Sequence, residues 1–158
     1  MLGELKKKLG ELKDSDRFKD WNKKHFDSYL CSIFAGEKLQ FDFYDPEKDK
    51  ITSFTENGII EDQEILRREK KKLPELKLNT VKVDLEEIVK IIKKLINEKY
   101  KGENPNKKII FLQGFEDKIV WNVTYITSNF NILNVKVDSI NGEILYEKIE
   151  SALNWKKD

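Results

Sequence analysis

The first dozen positions carry hydrophobic residues at three- and four-residue spacing, which places them on one face of a helix. Ser15 suits the N-cap of a second helix, because its hydroxyl can accept a hydrogen bond from a backbone N–H of the first turn. Phe18, Trp21 and His25 share a face of that helix. We expect both helices to pack on the rest of the chain, the alternative being a partner-binding or dimerising stripe. The leucines of the first helix are Leu2, Leu5, Leu9 and Leu12.

From position 29 onward hydrophobic and polar residues alternate, which is typical of half-buried strands. The pattern predicts strands over residues 29–34, 39–44 and 51–55, with a turn around Pro46. Residues 61–72 begin with acidic side chains and end with a basic run, an order that complements the helix dipole and predicts a helix. Residues 74–80 are the expected boundary between two halves of the chain.

The second half begins with a strong helix signal. Asp84 and Glu87 have the spacing of a capping box, and a wide hydrophobic face follows as far as Tyr100. Gly102 suits the left-handed position after a helix. Strands are predicted over residues 107–115, 118–127 and 130–138, and the short connections favour antiparallel neighbours. After the reversal signal at 141–142, residues 143–146 are expected to form a fourth short strand, and residues 149–155 a short helix.

The predicted sheet of the second half has hydrophobic residues on both faces. We expect Trp121, Tyr125 and their neighbours on one face to cover the helix. We place Ile110, Ile126 and Phe130 on the opposite face, where a solvated sheet would be mostly polar. This face needs a cover, because large exposed hydrophobic patches are rare on monomers. The first half of the chain, a partner protein or a second copy are the candidates, and these five residues are the candidate contact residues.

Three blocks of the second half resemble the PepSY domain. They are the Leu- and Glu-containing helix at 85–92, the strand 120–125 with the sequence VWNVTY, and the segment 135–145 with the sequence VKVDSINGEIL. The resemblance implies a helix followed by an antiparallel meander. It also implies a role in holding or inhibiting peptidases, since that family occurs in peptidase propeptides and in secreted or membrane proteins.

Two weaker likenesses complete this comparison. The spacing of Trp21 and His25, the Tyr44-Asp45-Pro46 turn and the strand at 121–125 resemble small archaeal proteins of no assigned activity. Within the chain, residues 45–51 and 138–144 both place an Asp at a strand end, with an aliphatic residue six positions later. The two halves therefore resemble a degenerate duplication, although an Asp in a turn is common enough for the echo to arise by chance.

Composition narrows the class of function. The 158 residues include 37% charged residues, yet their formal net charge is only +1. A dedicated nucleic-acid or membrane-surface protein would show a large basic excess, and arginine is scarce. We expect neither class of partner. Many Lys, Glu and Ile residues fit a thermophilic source or an AT-rich genome, and without a signal-peptide pattern or membrane span we expect a cytoplasmic location.

No catalytic site can be assembled from the sequence. His25 and Cys31 are the single histidine and cysteine, and a dyad would need a cleft and an orienting group. One His and one Cys cannot build the usual zinc sphere, and we expect no cofactor.

The predicted elements together indicate an α+β protein, with 1–78 and 79–158 forming one compact unit. We expect it to be a non-enzymatic binding module for a protein or peptide. A homodimer, or a small ligand-binding protein or enzyme with a pocket between helix and sheet, is the alternative.

Overall fold

The computed structural model describes residues 1–67, 69 and 71–157, and the side chains of these residues as far as 154. No helix in this described part of the chain is long and apolar enough to cross a bilayer. The fold is α+β. Its helices are α1 (Leu2–Asp14), α2 (Asp16–Lys24) and α3 (Leu85–Lys99), and its strands are β1 (Tyr29–Ala35), β2 (Leu39–Asp45), β3 (Lys50–Thr55), β4 (Gly58–Gln63), β5 (Pro105–Phe115), β6 (Lys118–Thr127), β7 (Asn131–Asp138) and β8 (Ile144–Ser151).

The eight strands form one antiparallel sheet in the order β4-β3-β2-β1-β5-β6-β7-β8. Each half of the chain contributes a four-stranded meander, because consecutive strands pair as local hairpins. The two meanders meet where β1 runs antiparallel to β5. Over this seam Ser32, Ile33 and Phe34 pair with Gln113, Leu112 and Phe111.

The predicted helices α1 and α2 are confirmed. Leu5 and Leu12 of the leucine stripe are buried, and the Ser15 hydroxyl accepts a hydrogen bond from the Phe18 N–H at 3.3 Å. Phe18 and Trp21 enter the hydrophobic core beneath α2. The helical period therefore identified the buried face of both elements.

Helix α3 begins at the predicted N-cap residue, Asp84. Its carboxylate accepts hydrogen bonds from the backbone N–H groups of Leu85 at 2.7 Å and of Leu2 at 3.0 Å. The same side chain therefore serves the first turns of α3 and of α1, whose own N-cap residue, Met1, makes no side-chain cap. This contact fixes the start of α1 against the start of α3.

All three helices contribute to one continuous hydrophobic core with the sheet, so the halves 1–78 and 79–158 share that core. The first half was a candidate cover for the second face of the C-terminal sheet. Instead it extends the sheet at the β5 edge. At the seam the backbone of β5 is paired on both sides over residues 111–113.

The helix predicted over residues 61–72 is wrong where the structure describes this range. Gly58–Gln63 is strand β4, in which Ile59 and Ile60 pair with Phe54 and Ser53 of β3. The acidic-then-basic order of residues 61–72 was the signal for a helix, but these residues have no hydrophobic face at helical spacing. Pairing with β3 therefore decides the structure instead. The described residues of the predicted helix that follow Gln63 are irregular, and positions 68 and 70 lie outside the described residues.

After this irregular stretch the chain returns to the sheet as a strap, defined here as residues 73–79. The Leu76 N–H donates to the Leu30 carbonyl at 2.7 Å, and the Tyr29 hydroxyl donates to the Leu73 carbonyl. Beyond the three-residue seam, the strap therefore takes the place beside β1 that β5 would occupy. Leu76 and Leu78 of the strap are buried.

Two details at the C-terminal end also differ from the prediction. The fourth strand extends over Ile144–Ser151, and the last segment is a 3₁₀ helix from Ala152 to Lys157 instead of a helix starting at 149. The two similar segments, residues 45–51 and 138–144, form the β2–β3 turn and the β7–β8 turn. These hairpins do not occupy equivalent positions in the two meanders, because the β3–β4 turn is the equivalent of the β7–β8 turn.

Candidate binding face

The sheet has one face covered by helices and one that faces away from them, called here the open face. Cross-strand partners share a face, so the register assigns each side chain. One row of the open face crosses six strands from β2 to β8: Gln40, Phe34, Phe111, Asn122, Lys136 and Tyr146. A second row runs from β3 to β7: Ser53, Asp42, Ser32, Gln113, Val120 and Asp138.

The register divides the five candidate contact residues between different places. Trp121 and Tyr125 lie on the helix-covered face, with exposed fractions of 0% and 5%, as expected for residues that cover α3. Trp121 also donates from Nε1 to the Val83 carbonyl at 2.9 Å. Both rings are therefore part of the core rather than a contact surface.

The predicted position of Ile110 is wrong. Its partner on β6 is Val123, which places Ile110 on the helix-covered face with an exposed fraction of 3%. The reason is the two-residue turn at 116–117, which pairs Phe115 with Lys118 and fixes the pairs from there to Lys107 and Ile126. This turn length was visible in the sequence, and applying it would have placed Ile110 correctly.

Ile126 and Phe130 differ from each other in position. Ile126 pairs with Ile132 on the open face, as predicted, near the far end of β6. Phe130 precedes β7 in a turn, has a positive φ of 59° and is 66% exposed. Only Ile126 of the five candidates therefore belongs to the open face of the sheet.

In the N-terminal half, a hydrogen-bond network holds the carboxylate of Asp42 on the open face. The carboxylate accepts from the Ser32 hydroxyl at 2.7 Å, the Ser53 hydroxyl at 2.6 Å and the Gln40 amide at 2.9 Å. The Gln63 amide of β4 donates to Ser53 at 2.8 Å. Three donors on three strands satisfy this buried carboxylate, which therefore needs no cation.

The C-terminal half carries an amide and hydroxyl cluster on the same face. The Asn134 amide donates to the Asn122 side-chain oxygen at 2.6 Å and to the Thr124 hydroxyl at 2.9 Å. Lys136 donates to the Asn134 side-chain oxygen at 2.7 Å, and its ammonium lies 4.0 Å from the centroid of the Tyr146 ring. Burial lowers the pKa of Lys136.

Aromatic rings complete the open face. Phe34 and Phe111 meet across the seam with centroids 5.2 Å apart, and Phe115 and Tyr146 lie 6.2 Å apart around Lys136. All four rings are partly exposed. Between strand ends, Asp42 and Lys136 are the charged members of the two rows, and both already have partners on the face itself. Sequence analysis missed these residues because it treated the second face as hydrophobic.

The two candidates for covalent chemistry have separate surroundings. Cys31 is buried at the β1 bulge, where its thiol donates to the Asp42 carbonyl at 3.3 Å. Burial, together with the nearby Asp42, raises the pKa of this thiol to about 12. His25 stacks on Trp21 with centroids 4.6 Å apart, and its Nδ1 lies 2.9 Å from the Trp21 carbonyl. The structure therefore does not bring a thiolate and a base together.

Acidic residues do not gather into a cation site in the described part of the chain. The Asp45 carboxylate accepts from the backbone N–H groups of Glu47 and Lys48, which closes its own turn. Asp49 binds Arg67 at 2.7 Å and accepts a hydrogen bond from the Tyr44 hydroxyl at 2.5 Å.

Comparisons with known proteins add one likeness to this geometry. No family model matches the sequence, and no curated protein matches it. A solved structure of a "putative lipoprotein" from Clostridium difficile 630 is similar at 15% identity and a TM-score of 0.43. The likeness covers 85% of this chain and 91% of that one. We base no conclusion about function on it.

Proposed function

We propose that this protein is a non-enzymatic binding module whose open face docks on a partner polypeptide. The observation that carries the proposal is the charge distribution. Charged residues make up 37% of the chain, whereas the two rows that cross the open face are mainly aromatic, amide and hydroxyl side chains, with Asp42 and Lys136 as the charged members inside the strands. The cores of protein interfaces are depleted in charged residues and enriched in aromatic ones.

Two features make the face suitable for a protein partner. Its aromatic rings are partly exposed and are held in place by cross-strand neighbours, so little side-chain freedom is lost on binding. Its amide and hydroxyl groups bond to one another, so they carry a small desolvation cost when a partner covers them. Phosphate recognition is disfavoured, because Lys136, the basic residue in the interior of the face, is engaged with Asn134 and Tyr146.

The proposal includes a PepSY-like C-terminal half. Support comes from the order of elements, in which α3 is followed directly by the four-stranded meander β5 to β8. The partners implied by that resemblance are peptidases or other proteins, which agrees with the class of partner proposed from the open face. A second copy of this chain, with two open faces in contact, is the competing occupant.

A charge placed in the centre of the open face tests the proposal. Phe111→Glu puts a carboxylate at the seam, and Lys90→Glu puts one on the exposed side of α3, outside the open face. The three proteins are used to capture partners from cells of the encoding organism, with quantitative mass spectrometry. A partner captured equally by wild type and Lys90→Glu should be reduced at least about tenfold by Phe111→Glu, because loss of an interface hot spot costs about 2 kcal/mol or more.

The captured partner is then purified and titrated directly. We expect its affinity for the wild type to change little between low and high salt, because few charges take part. Equal binding of the partner by Phe111→Glu and wild type would contradict the proposal. Sedimentation analysis that shows a dimer disrupted by Phe111→Glu would assign the face to a second copy instead.

A further inference from the structure

A groove separate from the open face lies on the helix side of the sheet. It is bounded by α1, by the loop between α2 and β1, and by the strap, and its volume is about 980 Å³. This is the upper part of the range of ligand pockets in proteins. Its floor consists of buried hydrophobic side chains, namely Phe18, Leu30, Phe43, Leu76 and Leu78.

The walls of the groove are charged, and the sign of the charge differs between its sides. Lys6 and Lys13 lie two turns apart on the α1 wall, and Lys77 lies on the strap. None of these ammonium groups has an ion-pair partner within the part of the chain that the structure describes. The two acidic residues of the rim, Asp27 and Glu75, belong to the loop and strap end of the groove, so the α1 wall is basic.

Two features of the groove lack a structural explanation within the chain. The hydroxyl of Ser28 is shielded from solvent and has no hydrogen-bond partner among the described residues. Phe26 stands at the mouth of the groove and is 73% exposed, although it is a large hydrophobic side chain. The Ser28 hydroxyl is shielded from solvent and is therefore out of reach of a ligand in the groove, whereas the exposed Phe26 ring favours a ligand with an apolar part.

We infer that this groove binds an amphiphile with a single apolar chain and an anionic head group. The apolar chain lies on the hydrophobic floor between α1 and the strap, and the head group pairs with Lys6 and Lys13 on the α1 wall. A free anion would not account for the hydrophobic floor. A peptide strand cannot be added here, because the Leu30 carbonyl already accepts from Leu76 of the strap.

Calorimetric titration of the full chain with three monomeric amphiphiles tests the inference. The probes are sodium dodecanoate, dodecyl phosphate and dodecyltrimethylammonium, which share a chain and differ in head group. We expect at least one anionic probe to bind with a stoichiometry of one, and the cationic probe to bind at least about tenfold more weakly. The stronger of the two anionic probes identifies the head group as a carboxylate or a phosphate.

Two glycines of α1 give a matched pair of variants. A Cβ at Gly10, which lines the groove, or at Gly3, which does not, would meet no atom within 4 Å. Gly10→Leu meets no clash at its Cβ and should block the groove, with at least tenfold weaker binding and the far-UV circular dichroism of wild type, whereas Gly3→Leu should bind like wild type. Lys6→Glu combined with Lys13→Glu should weaken the anionic probe and leave the cationic probe no weaker than before.

Three results would overturn the inference. They are the absence of binding by both anionic probes, equal affinity for the cationic probe, and wild-type affinity in Gly10→Leu. The inference is independent of the open face, because Phe111→Glu should leave the amphiphile affinity unchanged. Its failure would therefore leave the proposed protein-binding role untouched.

Discussion

At the scale of single residues, Asp84 connects the starts of two helices. Its carboxylate accepts from the first-turn N–H groups of two helices that are distant in sequence. Burial acts to raise the pKa of Asp84, but the hydrogen bonds from Leu85 and Leu2 and the amino group of Met1 outweigh it, so the pKa is lowered. The ionised form is therefore the one that the fold stabilises.

Replacing this residue should loosen both helix starts. We expect Asp84→Ala to lower the free energy of unfolding by about 1–2 kcal/mol, the upper part of the range for a helix cap. Because the folded pKa lies below the unfolded value, this contribution is present above about pH 4 and is lost as the pH falls through the folded pKa. Urea unfolding of wild type and variant at pH 7 and at pH 3 measures the difference. A difference that grows at pH 3 would contradict this explanation.

The residue-scale predictions from sequence succeeded where the cause is local. The caps at Ser15 and Asp84 were predictable, because a cap depends on neighbouring positions. The face of Ile110 was not predicted, because it depends on the register of two strands, which the turn at 116–117 sets. The Asp42 network was not predicted because its donors come from three strands whose pairing had first to be known.

At the scale of elements, the strap depends on one close approach. A Cβ at Gly114 of β5 would overlap the ring of Pro74, so the strap can lie against β5 only where the strand has no side chain. Helices and hairpins were largely predictable, since their signals are periodic and local. The strap and β4 were not predictable. The strap is irregular, so its buried leucines follow no hydrophobic period, and β4 is too short for its hydrophobic alternation to be recognised.

The contact between Gly114 and Pro74 gives a prediction for the strap. Gly114→Ala should lower the free energy of unfolding by about 1–3 kcal/mol, because the added methyl group forces the strap away from the sheet. Gly58→Ala is the control, since a Cβ there meets no atom within 4 Å. Denaturant unfolding of both variants measures the effect. The double variant Gly114→Ala with Pro74→Ala should recover part of the loss, and additive losses would argue against a direct clash.

At the scale of the whole molecule, two meanders share one core across a short seam. The two halves have the same order of elements, with helix before meander, although their sequences are similar only over the short segments 45–51 and 138–144. The extent of the sheet could not be predicted, because hydrophobic alternation shows that a strand has a buried face without showing which strand lies beside it. Ile110 was assigned to the wrong face for this reason, and the open face is more polar than predicted.

Because the core is continuous, the two halves should unfold together. Ile33, fully buried at the seam, pairs with residues of both meanders, and Ile33→Ala should lower the free energy of unfolding by about 2–5 kcal/mol. With Trp155→Phe as background, Trp121→Phe leaves Trp21 as the fluorescent reporter of the first half, and Trp21→Phe leaves Trp121 for the second. In each protein, fluorescence and far-UV circular dichroism should give the same urea midpoint. A reporter that melts before the circular dichroism signal would show that the halves unfold separately.

The seam also bears on how the chain is made. The hairpins β1 to β4 are local and can form as soon as they leave the ribosome. The inner edge of β1 then has no neighbouring strand until β5 has been synthesised, which takes on the order of seconds. An uncovered strand edge pairs readily with other chains. The speed of translation between residues 64 and 104 therefore sets how long the edge of β1 stays unpaired on the nascent chain. Codon choice in that stretch should influence the fraction of the protein that reaches the native fold.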